Sequence, residues 1–168
     1  ALTAWNANAT QGLATYGAVS TWVVTSVTDF RSLLNSLSSF DEDLTGWDTS
    51  GVTDMTSMFW KATAFNQPLA FDTSSVTSMY GMFYPTTSFN QPVAFDTARV
   101  TRMDHTFQDA SAFNQPVAFD TSSVVNMYAM LFGATAFSQP LAFDVGSVTE
   151  MDSMFGGNTA LSACNKRQ

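Results

Sequence analysis

Histidine and cysteine each occur once in this chain, as His105 and Cys164. One cysteine cannot form an internal disulfide, and one imidazole with one thiol is too few for a transition-metal site, so no metal and no cofactor is expected. Charged residues are scarce too, 12% against 45% hydrophobic, the reverse of a disordered acidic tail. Basic residues are scarcest: six against fourteen acidic ones leave a net charge of −8. A field of that sign repels phosphate backbones and anionic lipid surfaces, so nucleic acid is not an expected partner. No apolar run approaches the length that crosses a bilayer, so no direct membrane span is expected. The chain begins at Ala1 without Met, which reads as a removed signal segment or an excised domain.

What the chain does have is repetition. Trp22, Trp47, Phe71, Phe95, Phe119 and Phe143 each open the same pattern, at intervals of 25, 24, 24, 24 and 24 residues. A second set runs Phe65-Asn66-Gln67-Pro68, Phe89-Asn90-Gln91-Pro92, Phe113-Asn114-Gln115-Pro116 and Phe137-Ser138-Gln139-Pro140. Phe40 and Leu161 begin degenerate first and last versions of it. All nine methionines fall in two columns: Met55, Met79, Met103, Met127 and Met151, then Met58, Met82, Met130 and Met154. Residues that recur once per coil stack on themselves into one buried spine.

Within a copy, Val76, Met79, Met82 and Phe83 fall on one face of a short helix, with Asp72-Thr73-Ser74 ahead as N-cap. Leu69 and Phe71 around Ala70 predict a short strand, with Pro68 tolerable only at its start. The expected fold class is therefore α/β: a solenoid with one short strand and one short helix per 24-residue coil. Stacked carboxylates in the column Asp48, Asp72, Asp96, Asp120 and Asp144 would repel unless each caps a helix N-terminus. Capping is the favoured reading, since the glycine pattern of calcium-binding solenoids is missing. Asn66, Asn90 and Asn114 read as a hydrogen-bond ladder between coils. The chain divides as one domain: residues 1–17 an N-terminal helical cap ended by Gly17, 18–155 six repeats, and 156–168 a degenerate C-terminal cap.

The unit Phe65-Asn-Gln-Pro-Leu-Ala-Phe-Asp-Thr-Ser-Ser-Val-Thr-Ser-Met-Tyr-Gly-Met-Phe83 resembles the BspA-like leucine-rich repeat, a surface-protein repeat of mycoplasma lipoproteins and microalgal proteins. The entry Ala14-Thr15-Tyr16-Gly17, followed by Trp22 and Ser26-Val27-Thr28-Asp29, is similar to that family's usual lead-in. The chain departs in having Phe71, Phe95, Phe119 and Phe143 where Trp is common, and in being one residue short per coil. The resemblance implies a right-handed leucine-rich-repeat-like coil, often exported or surface-exposed, that binds other proteins and catalyses nothing.

The residues themselves also offer little chemistry. His105 shares its column with Ser57, Gly81, Ala129 and Ser153, which reads as a tolerant surface position. No P-loop, nucleophile elbow or dinucleotide glycine pattern is present. No enzyme activity and no catalytic residue is expected. More informative are Trp60, Tyr84 and Phe132, at a position where other copies carry Asn35, Gln108 and Gly156. Tyr80 and Tyr128 sit one helical turn earlier, on the same face. Large aromatics where polar residues stand elsewhere read either as a partner-binding patch or as covers for grooves between coils.

The leading expectation is a surface-exposed or secreted protein-binding module in adhesion or recognition, at the cell surface or outside the cell. A small structural subunit docked into a larger, possibly organellar, assembly is the alternative, so the chain is either a monomer or such a subunit. A third is ice binding, on the columns Thr49, Thr73, Thr97, Thr121 and Thr28, Thr53, Thr77, Thr101, Thr149.

Overall fold

Neighbouring copies compete with the local chain for the same backbone amides, and that competition sets the fold. The computed structural model describes residues 14–161. Along residues 55–61, alternate amides reach out of their own coil: Met55, Ser57, Phe59 and Lys61 donate to the carbonyls of Ser78, Tyr80, Met82 and Tyr84 at 2.7–3.1 Å. The amides between them turn inward. Met58 donates to Met55, Trp60 to Ser57 and Ala62 to Phe59, each three residues back. The same alternation recurs in the following coils, as in Met103, His105, Phe107 and Asp109 onto Asn126, Tyr128, Met130 and Phe132.

This corrects the expected α/β class. An α-helix keeps every amide for the carbonyl four residues back and has none to lend. Here half of them are lent to the next coil, so in place of a helix over Val76–Phe83 there is a bridge residue, Ser78, followed by tight turns from Tyr80 on. Turns of this kind need a residue of left-handed backbone at regular intervals. Ser57, Gly81, His105, Ala129 and Ser153 supply it in one column, with φ between 51° and 61°, and Lys61, Asp109, Gly133 and Gly157 in another. Among the described residues, helical geometry is confined to residues 14–16 and the 3₁₀ turn Val19–Thr21.

The expected strand at Leu69–Phe71 is absent as well, and no strand is found among the described residues. Regular pairing reduces to five isolated parallel bridges linking Asp29, Asp54, Ser78, Arg102, Asn126 and Glu150 in succession. On the proline-bearing side, side chains do the bridging. Asn66 Oδ1 accepts the Asn90 amide at 2.9 Å, and Asn90 and Asn114 do the same for Asn114 and Ser138. Gln91, Gln115 and Gln139 add an amide bond each to the previous coil's Asn carbonyl. The expected Asn ladder is therefore present. Thr49, Thr73, Thr97 and Thr121 are buried and donate to the next coil's Asp carbonyl at 2.8–3.0 Å. Only the second threonine column is exposed, so the two do not form a paired rank on one surface.

The core is a set of ring stacks. Phe59, Phe83 and Phe107 lie parallel at 5.3 Å centroid spacing, and Phe65, Phe89, Phe113 and Phe137 form a second stack at 5.9–6.0 Å. The two interlock at 4.2–4.3 Å, an offset arrangement that suits ring quadrupoles. Met55, Met79, Met103 and Met127 are fully buried beside them, whereas Met151, in the last coil of the described residues, is 45% exposed. Gly17 does adopt a left-handed φ of 73°. Residues 14–16 ahead of it are helical, whereas residues 1–13 of the expected N-terminal cap, and residues 162–168 of the C-terminal one with Cys164, lie outside the described residues.

The Asp column caps turns, not the helix starts expected of it, because no helix follows. Asp48, Asp72 and Asp120 each accept the hydroxyl and the amide of the serine two residues on. These bonds, the hydroxyl first, hold the three carboxyls below their ordinary value. Asp96 and Asp144 accept the amides of Ala98 and Gly146.

Two predictions follow from this backbone. Lys61 is exposed at φ 60°, so Lys61→Gly should raise stability by about 1 kcal/mol in urea unfolding, by relieving left-handed strain. The capped carboxyls have folded values depressed below the unfolded 3.8, so the unfolded state binds more protons in acid. Their contribution is complete above roughly pH 5 and fades as pH falls through the lower folded values. The denaturation midpoint of a D48N/D72N/D120N triple variant should fall less steeply below pH 4, by roughly the share of these three groups, than that of the unaltered chain.

Candidate protein-binding surface

Because alternate residues of each turn run point away from the core, one outer column per pair of turns is free to carry bulk. Trp60 and Tyr84 meet edge to face at 4.5 Å, and Tyr80 lies 6.5 Å from Trp60. His105 then joins this group to the next coil: its ring sits 5.3 Å from Tyr80 and 5.2 Å from Tyr128, edge to face with both. Four of the five expected residues, Trp60, Tyr80, Tyr84 and Tyr128, are thus brought into one row through a histidine. Their proximity arises from coil stacking, since there is no helix whose face they could share. Phe132 shares the outer column of Trp60 and Tyr84 but makes no ring contact with the row among the described residues. It lies over Gly156 of the next coil, where an added Cβ would meet its ring edge at 2.6 Å.

The row is not uniformly free. Trp60 covers Gly81, whose added Cβ would come within 3.1 Å of the indole, and Trp60, Tyr80 and Tyr84 are half-buried. Tyr128 and Phe132 are exposed, at 39% and 37%. Groove covering and exposure therefore coexist, the first at the Trp60 end and the second at the Tyr128 end.

His105 is half-buried, not the tolerant surface position that its column suggested. The small residues of that column answer to the left-handed backbone. Its Nδ1 pairs with Gln108 Oε1. Arg102 lies over the Tyr80 ring at 4.8 Å and is held there by two bonds to Asp104, whose carboxylate is 6% exposed. The same bonds raise the Arg102 guanidinium further above its ordinary value. Thr106 takes the place of a methionine and spends its hydroxyl on the carbonyls of Met79 and Met103. Arg102, Asp104, His105 and Gln108 were not picked out as site residues from sequence. The available signal was that departures from the column pattern concentrate in this one coil.

Two overlapping stretches, residues 4–94 and 69–166, match the family described as Mycoplasma protein of unknown function, DUF285. The chain is a member of the DUF285 family. The overlap of the two matches follows from the repeat. No curated protein and no solved structure matches this DUF285 chain. Among its described residues, no three His, Cys, Asp or Glu side chains are grouped to hold a metal ion, and no helix is long and apolar enough to cross a membrane.

Burial separates the two ends of the row energetically. Trp60→Ser should cost about 1–3 kcal/mol in thermal or urea unfolding of this DUF285 protein, since it opens the space over Gly81. Tyr128→Ser should stay within about 0.5 kcal/mol of the parent.

Proposed function

We propose that this DUF285 chain is a non-catalytic, BspA-like protein-binding module of a surface-exposed or secreted protein, acting in adhesion or recognition. Its partner docks on the Tyr128–Phe132 end of the aromatic row, with Trp60, Tyr80 and Tyr84 as the supporting floor. One observation carries this reading: among the described residues, a chain that buries almost every ring leaves three aromatics exposed, and two of them, Tyr128 and Phe132, lie on one coil. Exposed aromatics on a rigid frame are the residue type that anchors protein interfaces, because they bring large area at little cost in rotamer freedom. The fixed cation of Arg102, clamped by Asp104, borders this floor and favours a partner with carboxylates at its rim. A docked structural subunit would use the same surface but would not be isolated as a free monomer.

The test is capture of partners from the native source with the parent chain and with a Tyr128→Ser, Phe132→Ser double variant. The expected result is at least a tenfold loss of the captured partner, equivalent to about 1.4 kcal/mol, with an unchanged thermal midpoint. Equal capture by both chains would refute the docking surface.

A further inference from the structure

One flank of the stack already shows how this protein seats a cation. Arg102 lies over the Tyr80 ring at 4.8 Å, and its Nε and Nη2 donate to the two oxygens of Asp104 at 3.1 and 2.8 Å. Ring and carboxylate come from neighbouring coils and share one column. The guanidinium is stacked on one side and paired edge-on with a carboxylate. That geometry suits the planar fork of arginine better than the point charge of lysine.

The same column repeats the pair, with Tyr128 and Asp152 in the next two coils. The residue that stands to them as Arg102 stands to Tyr80 and Asp104 is Glu150. Where one seat has its guanidinium, the other therefore has a second carboxylate, to which Asn126 Nδ2 donates at 3.3 Å. The position belongs to the flank of the stack, since Arg102 is exposed there in an inner coil. The Tyr128 ring is exposed and meets His105 edge to face at 5.2 Å. Beside Phe132, the Asp109 carboxyl lies where an added Cβ on Gly133 would strike it. Charge on this half of the chain has one sign: between Arg102 and Lys166 there are six carboxylates and no lysine or arginine.

We infer that the Tyr128 seat takes an arginine side chain of the protein partner, its guanidinium stacked on the Tyr128 ring and paired with Glu150 and Asp152. The inference rests on the docking surface proposed above and names the group that this surface recognises. The reversal from Arg102 to Glu150 carries it, because complementary charge selects a partner and sets its register. One seat is closed by the chain's own cation. The other, with the same kind of ring and carboxylate, is completed by a cation from outside. A partner carboxylate about 10 Å from that arginine, two coil spacings away, then meets Arg102 and fixes the direction of docking.

Fluorescence anisotropy of a dye-labelled Gly-Ser peptide carrying two arginines tests it on the whole 168-residue chain. This peptide should bind about tenfold more tightly than versions with lysine, serine or glutamate in those places, and added salt should narrow the gap. Glu150→Arg should fill the seat from within, as Arg102 fills the other, and abolish binding at an unchanged or higher thermal midpoint. Tyr128→Ser should weaken binding about tenfold as well. Asp72→Asn with Asp96→Asn, outside the row, should bind like the parent, which separates the seat from the net charge of −8. Equal binding of all four peptides, or binding that survives Glu150→Arg, would overturn the proposal. So would binding seen only in a Lys166→Ser, Arg167→Ser variant, because the seat would then be taken by the chain itself. If the peptides fail while the Tyr128→Ser, Phe132→Ser variant still loses its captured partner, the docking surface stands and the arginine alone falls.

Discussion

A backbone amide can donate fully to only one carbonyl at a time, and in this protein half of the amides along each turn run are given to the neighbouring coil. From that division comes the lack of a helix in the turn runs, the need for left-handed residues at fixed places, and the close register in which like side chains meet. It also makes each coil depend on the one beside it. A coil taken alone would keep its turns but leave open the amides and carbonyls that it shares with its neighbours, together with the faces of its stacked rings.

The side of each coil that carries proline solves the same problem by other means. Pro68, Pro92, Pro116 and Pro140 bring no amide, and there the coils are joined by Asn, Gln and Thr side chains that reach the next backbone. Those residue types are polar yet recur as faithfully as the phenylalanines, because each replaces a rung that the backbone does not make. The Asp column belongs to the same economy of local bonds: its carboxyls close turns and keep their charge because hydroxyl and amide donors face them.

Much of this was legible beforehand. Column membership identified the buried Met and Phe residues, since burial at one position of a regular stack implies burial at the next. The Asn ladder followed from the same register, and the Asp residues were read as caps, though of helix starts where the structure has turns. Misread were the helix at Val76–Phe83 and the strand at Leu69–Phe71. A spacing of i, i+3, i+6 and i+7 fits a 3.6-residue helix and a series of i to i+3 turns about equally well. The positive φ at Gly81 and its column mates separates the two, and a column holding Ser, Gly, His and Ala did not announce it.

For the candidate surface, the outer aromatics were recognisable as bulk at positions that otherwise carry Asn, Gln or Gly. That His105 joins them, that Trp60 lies over Gly81, and that Tyr128 and Phe132 are the exposed members depended on distances between residues 20 or more positions apart. By itself, then, the sequence determined the 24-residue period, the side chains that face inward, and the acidic charge of the chain, because these are properties of residue type and spacing. Only the tertiary structure decided that the coil is made of turns and which rings stay exposed, because both depend on which carbonyl of a neighbouring coil each amide can reach.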